Sequence, residues 1–169
     1  MSVGPESKPR HETEHERLDR QLMELLQGFR VAVTGVQVMF AFLLTVPFAT
    51  GFRSVNGNGK IMFYIALFGA ALASICFIAP VFQHRILFRQ DRKALLIRRA
   101  NQFGIIGAYA LAASIAASTT LIVHTLTDRT AATAATAAAI VAVAAWAWFV
   151  QPYLTRISGG GRTGDGERP

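Results

Sequence analysis

The sequence predicts an all-α fold: a four-helix transmembrane bundle led by an amphipathic cytoplasmic N-terminal helix. Three observations predict it. The chain has 169 residues, 52% of them hydrophobic, at a mean hydropathy of +0.36, more apolar than a typical soluble domain. Asp, Glu, Lys, Arg and His are all absent from 31–52, 61–83, 100–123 and 130–155. Each window is long enough for a helix rising about 1.5 Å per residue to cross a hydrocarbon core of about 30 Å. Finally, the windows lack period-two alternation, and unpaired backbone groups are not tolerated in lipid, so helices rather than barrel strands are expected.

In chain order, residues 1–11 read as a disordered arm and 12–29 as an amphipathic cytoplasmic helix. Leu18, Leu22, Leu25, Leu26 and Phe29 fall on one helical face, and the charged residues of this stretch carry a net charge of −3. The transmembrane domain is expected over 30–155, with spans at about 31–52, 61–83, 100–124 and 130–154. The N-terminal arm holds six acidic residues before the first apolar run, unlike a cleavable signal, so the first span is expected to stay as an anchor. Pro47, Pro80 and Pro152 lie toward span ends, where a missing backbone donor costs least. The connector Ser54–Lys60 is rich in turn residues. The fourth span opens on a run of only Ala and Thr, and the third carries small residues at Gly104, Ala108, Ala112 and Ala116, so spans three and four are expected to pack as a tight hairpin. Residues 156–169 read as a disordered Gly-rich tail.

Fourteen of the 17 Lys and Arg residues lie in the N-terminal arm, the loop 84–99 and the tail; only Arg53, Lys60 and Arg129 lie on the other side. The positive-inside rule therefore places both termini in the cytoplasm of a bacterial plasma membrane. Trp146, Trp148 and Tyr153 cluster at the expected cytoplasmic interface of span four, as an aromatic belt requires. The loop 84–99 contains Arg85, Arg89, Arg92, Lys93, Arg98 and Arg99 against Asp91, a net charge of +5. Such a run beside the bilayer is expected to meet anionic lipid headgroups or the acidic N-terminal helix. Because the basic residues flank apolar spans, the expected partner is the lipid bilayer and not nucleic acid.

Catalytic signals are weak. His11-Glu-Thr-Glu-His15 matches the zinc-protease pattern, but it stands in a polar arm without a convincing third ligand, and we read the match as chance. Cys76 is the single cysteine, so one chain builds neither a disulfide nor a thiolate cluster. No catalytic residue, cofactor or metal is predicted, and the protein is expected not to be an enzyme. The polar positions that stand out are Arg30 at the entry to span one, Gln37 two turns inside it, His84 at the end of span two and His124 at the end of span three. Gln37 is expected to act as hydrogen-bonding glue between helices. His124, at the span boundary, is expected to be a simple interfacial histidine, with a sensor of external pH as the alternative.

Several stretches carry a resemblance. Glu16-Arg-x-Asp19, Glu24-Leu-Leu-Gln27, Arg30, the run from Gly35 to Phe48 containing Gln37 and Pro47, and Pro80-x-x-x-His84-Arg-x-x-Phe88-Arg89 resemble an uncharacterised family of small four-span actinobacterial membrane proteins. The resemblance covers about residues 12–127 and implies topology and a plasma-membrane location. Some members of that family carry a transferred label of sodium:proton antiporter. The leading expectation is a non-enzymatic assembly or accessory factor, or a small homo-oligomer. The alternative is a cation/proton transporter acting as a homo-oligomer.

Overall fold

The computed structural model describes residues 13–87, 93–127 and 129–159. The first helix, α1, runs from Glu14 to Thr45 as one unbroken element. A capping box starts it: the Thr13 hydroxyl accepts from the Glu16 N–H at 3.4 Å, and the Glu16 carboxylate accepts from the Thr13 N–H at 2.9 Å. The amphipathic segment and the first apolar window are therefore one continuous helix, since no Gly-Pro or Asn-Gly break separates them. Its predicted apolar face does pack inward: Leu22 is buried, and Leu18, Leu25, Leu26 and Phe29 are half-buried.

The first helix ends seven residues before the predicted span limit at 52. Pro47 is the reason, because its ring crowds the carbonyl four residues back and its nitrogen has no proton to give. The chain continues as two single turns, Val46–Phe48 and Phe52–Ser54. The second turn folds Phe52 back edge-on against the buried Phe63, with ring centroids 4.9 Å apart.

The second helix, α2, spans Gly57–Leu87, and the third, α3, spans Lys93–Thr127. Much of the stretch 84–99, expected as a loop, is thus helical. No Gly or Pro lies between 81 and 103, and Arg, Leu, Ala and Lys dominate this part, so helical propensity carries both helices past the charge-free windows. Residues 88–92 lie outside the described residues, as do 1–12 and 160–169, which include all of the predicted arm and most of the predicted tail.

The most extensive interface joins α2 to α3. Ala66, Ala70 and Ala73 of α2 are fully buried and share the core with Ala110 and Ala117 of α3. The backbones come so close that a Cβ on Gly69 would stand 2.9 Å from the Ala110 carbonyl oxygen. Ser114, itself fully buried, donates to the Ala66 carbonyl at 2.6 Å and bonds the two helices across this seam. Small residues at helical spacing are what membrane helices use to approach, because lipid gives no hydrophobic drive between them.

The fourth helix, α4, runs Thr130–Ala145; it passes through a wider π turn, Trp146–Val150, into α5, Gln151–Gly159. Pro152 explains the π turn. It cannot donate to the Trp148 carbonyl, and the widened turn lets the Gln151 N–H bond the Trp146 carbonyl instead. Two hydroxyls in the Ala/Thr run turn back on their own helix, Thr133 to the Arg129 carbonyl at 3.0 Å and Thr136 to Ala132 at 2.9 Å, so neither is stranded in hydrocarbon. The expected tight pairing of spans three and four is looser than the α2–α3 seam. A gap of about 340 Å³ remains between them, lined by Ala112, Ile115, Ala139, Ile140 and Val143. The Tyr109 and Phe149 rings, stacked at 4.4 Å and 9°, prop the helices apart, and Gly104 faces the Phe29 ring of α1 rather than α4.

Candidate functional site

Polar chemistry gathers at the two ends of the bundle. At the end bearing the 46–56 connector, Asn56 caps α2: its side-chain oxygen accepts from the Gly59 N–H at 2.8 Å. That bond orients the amide, which places its nitrogen 3.0 Å and its oxygen 3.3 Å from His124 Nε2, so that the Asn56 amide and the His124 ring are hydrogen-bonded to each other. Gly51, Ser54, Val55 and Thr125 complete a cup of about 470 Å³ around this pair. The other hydroxyls there are engaged, Ser54 with the Gly51 carbonyl at 2.8 Å and Thr125 with Leu121 at 3.0 Å. The chemistry of the cup is that of a lock, tying the start of α2 to the end of α3. Among the described residues, no three His, Cys, Asp or Glu side chains converge on a common point.

The sequence reading singled out His124 but not Asn56, although an Asn immediately before a helix is a recognisable cap signal. Replacing Asn56 with Ala removes the cap and the interhelical bond together. The expected cost is about 1–2 kcal/mol, with about 1 kcal/mol for His124→Ala. The double variant should cost less than the sum, as read by thermal unfolding in detergent.

At the opposite end stand the basic residues. Arg85, Arg98 and Arg99 are exposed, His84 is half-buried, and Lys93 opens α3. Arg89 and Arg92 lie outside the described residues, as do His11 and Glu12 of the zinc-protease-like match. His84 and Arg85 occupy the last turn of α2, where the guanidinium of Arg85 offsets the negative end of the helix dipole. The side-chain oxygen of Gln83 is buried there without a hydrogen-bond donor among the described residues.

Arg30 and Gln37 both project from the outward face of α1. Gln37 therefore does not join helices within this chain, as the sequence suggested it could. Ser114 does, and the signal for it was the small-residue spacing Gly107, Ala110, Ser114 and Ala117. Between α1, α3 and the π turn lies a third feature, a groove of about 430 Å³.

Four helices long and apolar enough to cross a bilayer, packed through a seam of small residues, define a multi-pass α-helical membrane protein. The chain belongs to DUF6328, a family of unknown function, whose sequence profile matches residues 11–152. No curated protein and no solved structure matches the chain.

Proposed function

We propose that this is a non-enzymatic protein of the bacterial plasma membrane, with both termini in the cytoplasm, that acts as a small homo-oligomer or assembly factor through the outward face of span one. The observation that carries the reading is Gln37. It lies two turns inside the charge-free window of α1, is exposed on the bundle surface, and makes no hydrogen bond among the described residues. A primary amide facing hydrocarbon without partners costs about 2–7 kcal/mol, depending on the reference state. An amide is both donor and acceptor, so two copies of Gln37 across a two-fold axis satisfy each other. Thr34 and Ala41, also exposed on this side of the helix, are small enough to let a second α1 approach.

The transporter alternative needs a titratable group at mid-membrane, and the four charge-free windows contain no carboxylate. Gln37 itself cannot release a proton near neutral pH. Its outward position also suits a contact between chains better than an internal path.

The test is oligomer size in mild detergent. Gln37→Leu is expected to raise the dimer dissociation constant roughly 5- to 30-fold, the effect of about 1–2 kcal/mol per interhelical amide contact. Gln37→Cys should cross-link two chains on oxidation, whereas Cys76, being buried, should not. A protein that is monomeric throughout, with no cross-link at position 37, sinks the proposal.

A further inference from the structure

The groove at the basic end is bounded by Leu25, Gly28 and Ala32 of α1 and by Asn101, Ile105 and Ala108 of α3. Trp148 of the π turn borders it, with Phe77 behind. It extends over two helical turns, about 10 Å, and its volume of about 430 Å³ suits a lipid acyl chain. Its walls are apolar apart from Asn101, which stands toward the charged end. One turn before Asn101, and adjacent to it on the helix surface, is the exposed Arg98.

We propose that this groove is a binding site for one anionic phospholipid, its acyl chain lying between α1 and α3 and its phosphate held by Arg98 and the Asn101 amide. The inference deepens the membrane reading above and rests on it. Three features select this occupant. On α3 the groove starts at Asn101, where the charge-free window opens, and on α1 it passes from Leu25 and Gly28, before Arg30, to Ala32 inside the window, so its inner part is at acyl-chain depth and its mouth at headgroup depth. The charge at the mouth matches: residues 84–99 carry a net charge of +5, and Arg98 forms no ion pair among the described residues. Arginine suits phosphate because its planar fork donates two parallel bonds. Finally, the segments outside the described residues offer too little to fill an apolar groove from within the chain, since 1–12 and 160–169 supply only Met1 and Val3 as larger apolar side chains and 88–92 only Phe88.

The groove is separate from the assembly face. Gln37 is nine residues beyond Gly28, two and a half turns, and so lies on the opposite side of α1. Gly28 also provides a clean probe. A Cβ built there meets nothing within 4 Å, so a larger side chain enters the groove without disturbing the packing of α1.

The experiment is fluorescence quenching by brominated lipid. Protein carrying Trp146→Phe, which leaves Trp148 as the reporter beside the groove, is reconstituted in zwitterionic vesicles. These contain a small fraction of brominated phosphatidylglycerol or, in parallel, brominated phosphatidylcholine. Trp148 should be quenched more by the anionic lipid, with a relative binding constant of roughly five for one engaged arginine. Adding Gly28→Leu should reduce quenching by both lipids to the level of random contact. Adding Arg98→Gln should keep the quenching and bring the preference close to one. Equal quenching by the two lipids in the protein with Arg98 and Gly28 intact overturns the proposal, as does quenching unchanged by Gly28→Leu. Loss of quenching as the protein-to-lipid ratio rises would put a second copy in the groove and also overturn it. Lipid in the vesicles is the same on both faces, so a wrong orientation would leave this result unaltered and would show only in reporter fusions.

Discussion

Gly69→Leu is expected to disrupt the α2–α3 seam and lower stability by about 3 kcal/mol or more, the upper range for overpacking. The size of the effect follows from what the new side chain meets. Its first carbon would sit 2.9 Å from the Ala110 carbonyl oxygen and 3.1 Å from Ser114 Cβ, and a helix backbone cannot turn aside as a side chain can. Separating the helices would also break the 2.6 Å bond from Ser114 to Ala66 and take from the buried Ser114 hydroxyl its partner across the seam. Gly107 gives the informative contrast. A Cβ there would lie 2.6 Å from the Phe77 ring, a side chain that can be shortened. Gly107→Ala should therefore be destabilising alone and substantially rescued by Phe77→Leu, whereas no single partner change should rescue Gly69→Leu. Gly35, whose Cβ meets nothing within 4 Å, serves as the control. Gly35→Leu should cost nothing and gain up to about 1 kcal/mol in helix propensity. Unfolding in detergent followed by circular dichroism reads all four. A loss at Gly35 equal to that at Gly69 would show that the seam is not what holds the spans together.

The spans and their number were legible because hydrocarbon imposes a simple requirement, a long stretch without charge, and four stretches meet it. The limits of the helices were less legible, because charge marks where lipid ends and not where a helix ends. Thus α1 begins at Glu14, well before its apolar window, and α3 begins at Lys93 within a basic run. Packing was the hardest to read. Small residues occur on more than one side of α3, and Gly104, Ala108, Ala112 and Ala116 looked as suitable for a neighbour as Gly107, Ala110, Ser114 and Ala117. The choice between the two stripes rests on shape: Gly69 and Ala66 of α2 offer a close backbone, while Tyr109 and Phe149 keep α4 at a distance. Among the candidate polar residues, His124 found a partner that sequence spacing alone could not name, since Asn56 is 68 residues away.

Reporter fusions should give mutually exclusive signals on the two sides of the membrane: cytoplasmic after Arg20, Gln90 and Gly160, and external at Asn56 and Asp128. The fold contributes half of this expectation. The bond from Asn56 to His124 requires the start of α2 and the end of α3 to share one end of the bundle, with the basic residues that flank Leu87 and Lys93 at the other. The charge distribution contributes the other half, with 14 basic residues on one side against Arg53, Lys60 and Arg129 on the other. Inverting the protein would carry the 84–99 segment, with its net charge of +5, across the bilayer, against the rule that Lys and Arg near span ends are retained. Because the bias is spread over three segments, replacing any single arginine should leave every signal unchanged. Only removing charge from the 84–99 segment as a whole, while adding Lys or Arg beside Asn56, should produce mixed orientations. An external signal at Gln90 in the unaltered protein would overturn both the orientation and the cytoplasmic placement of the basic end.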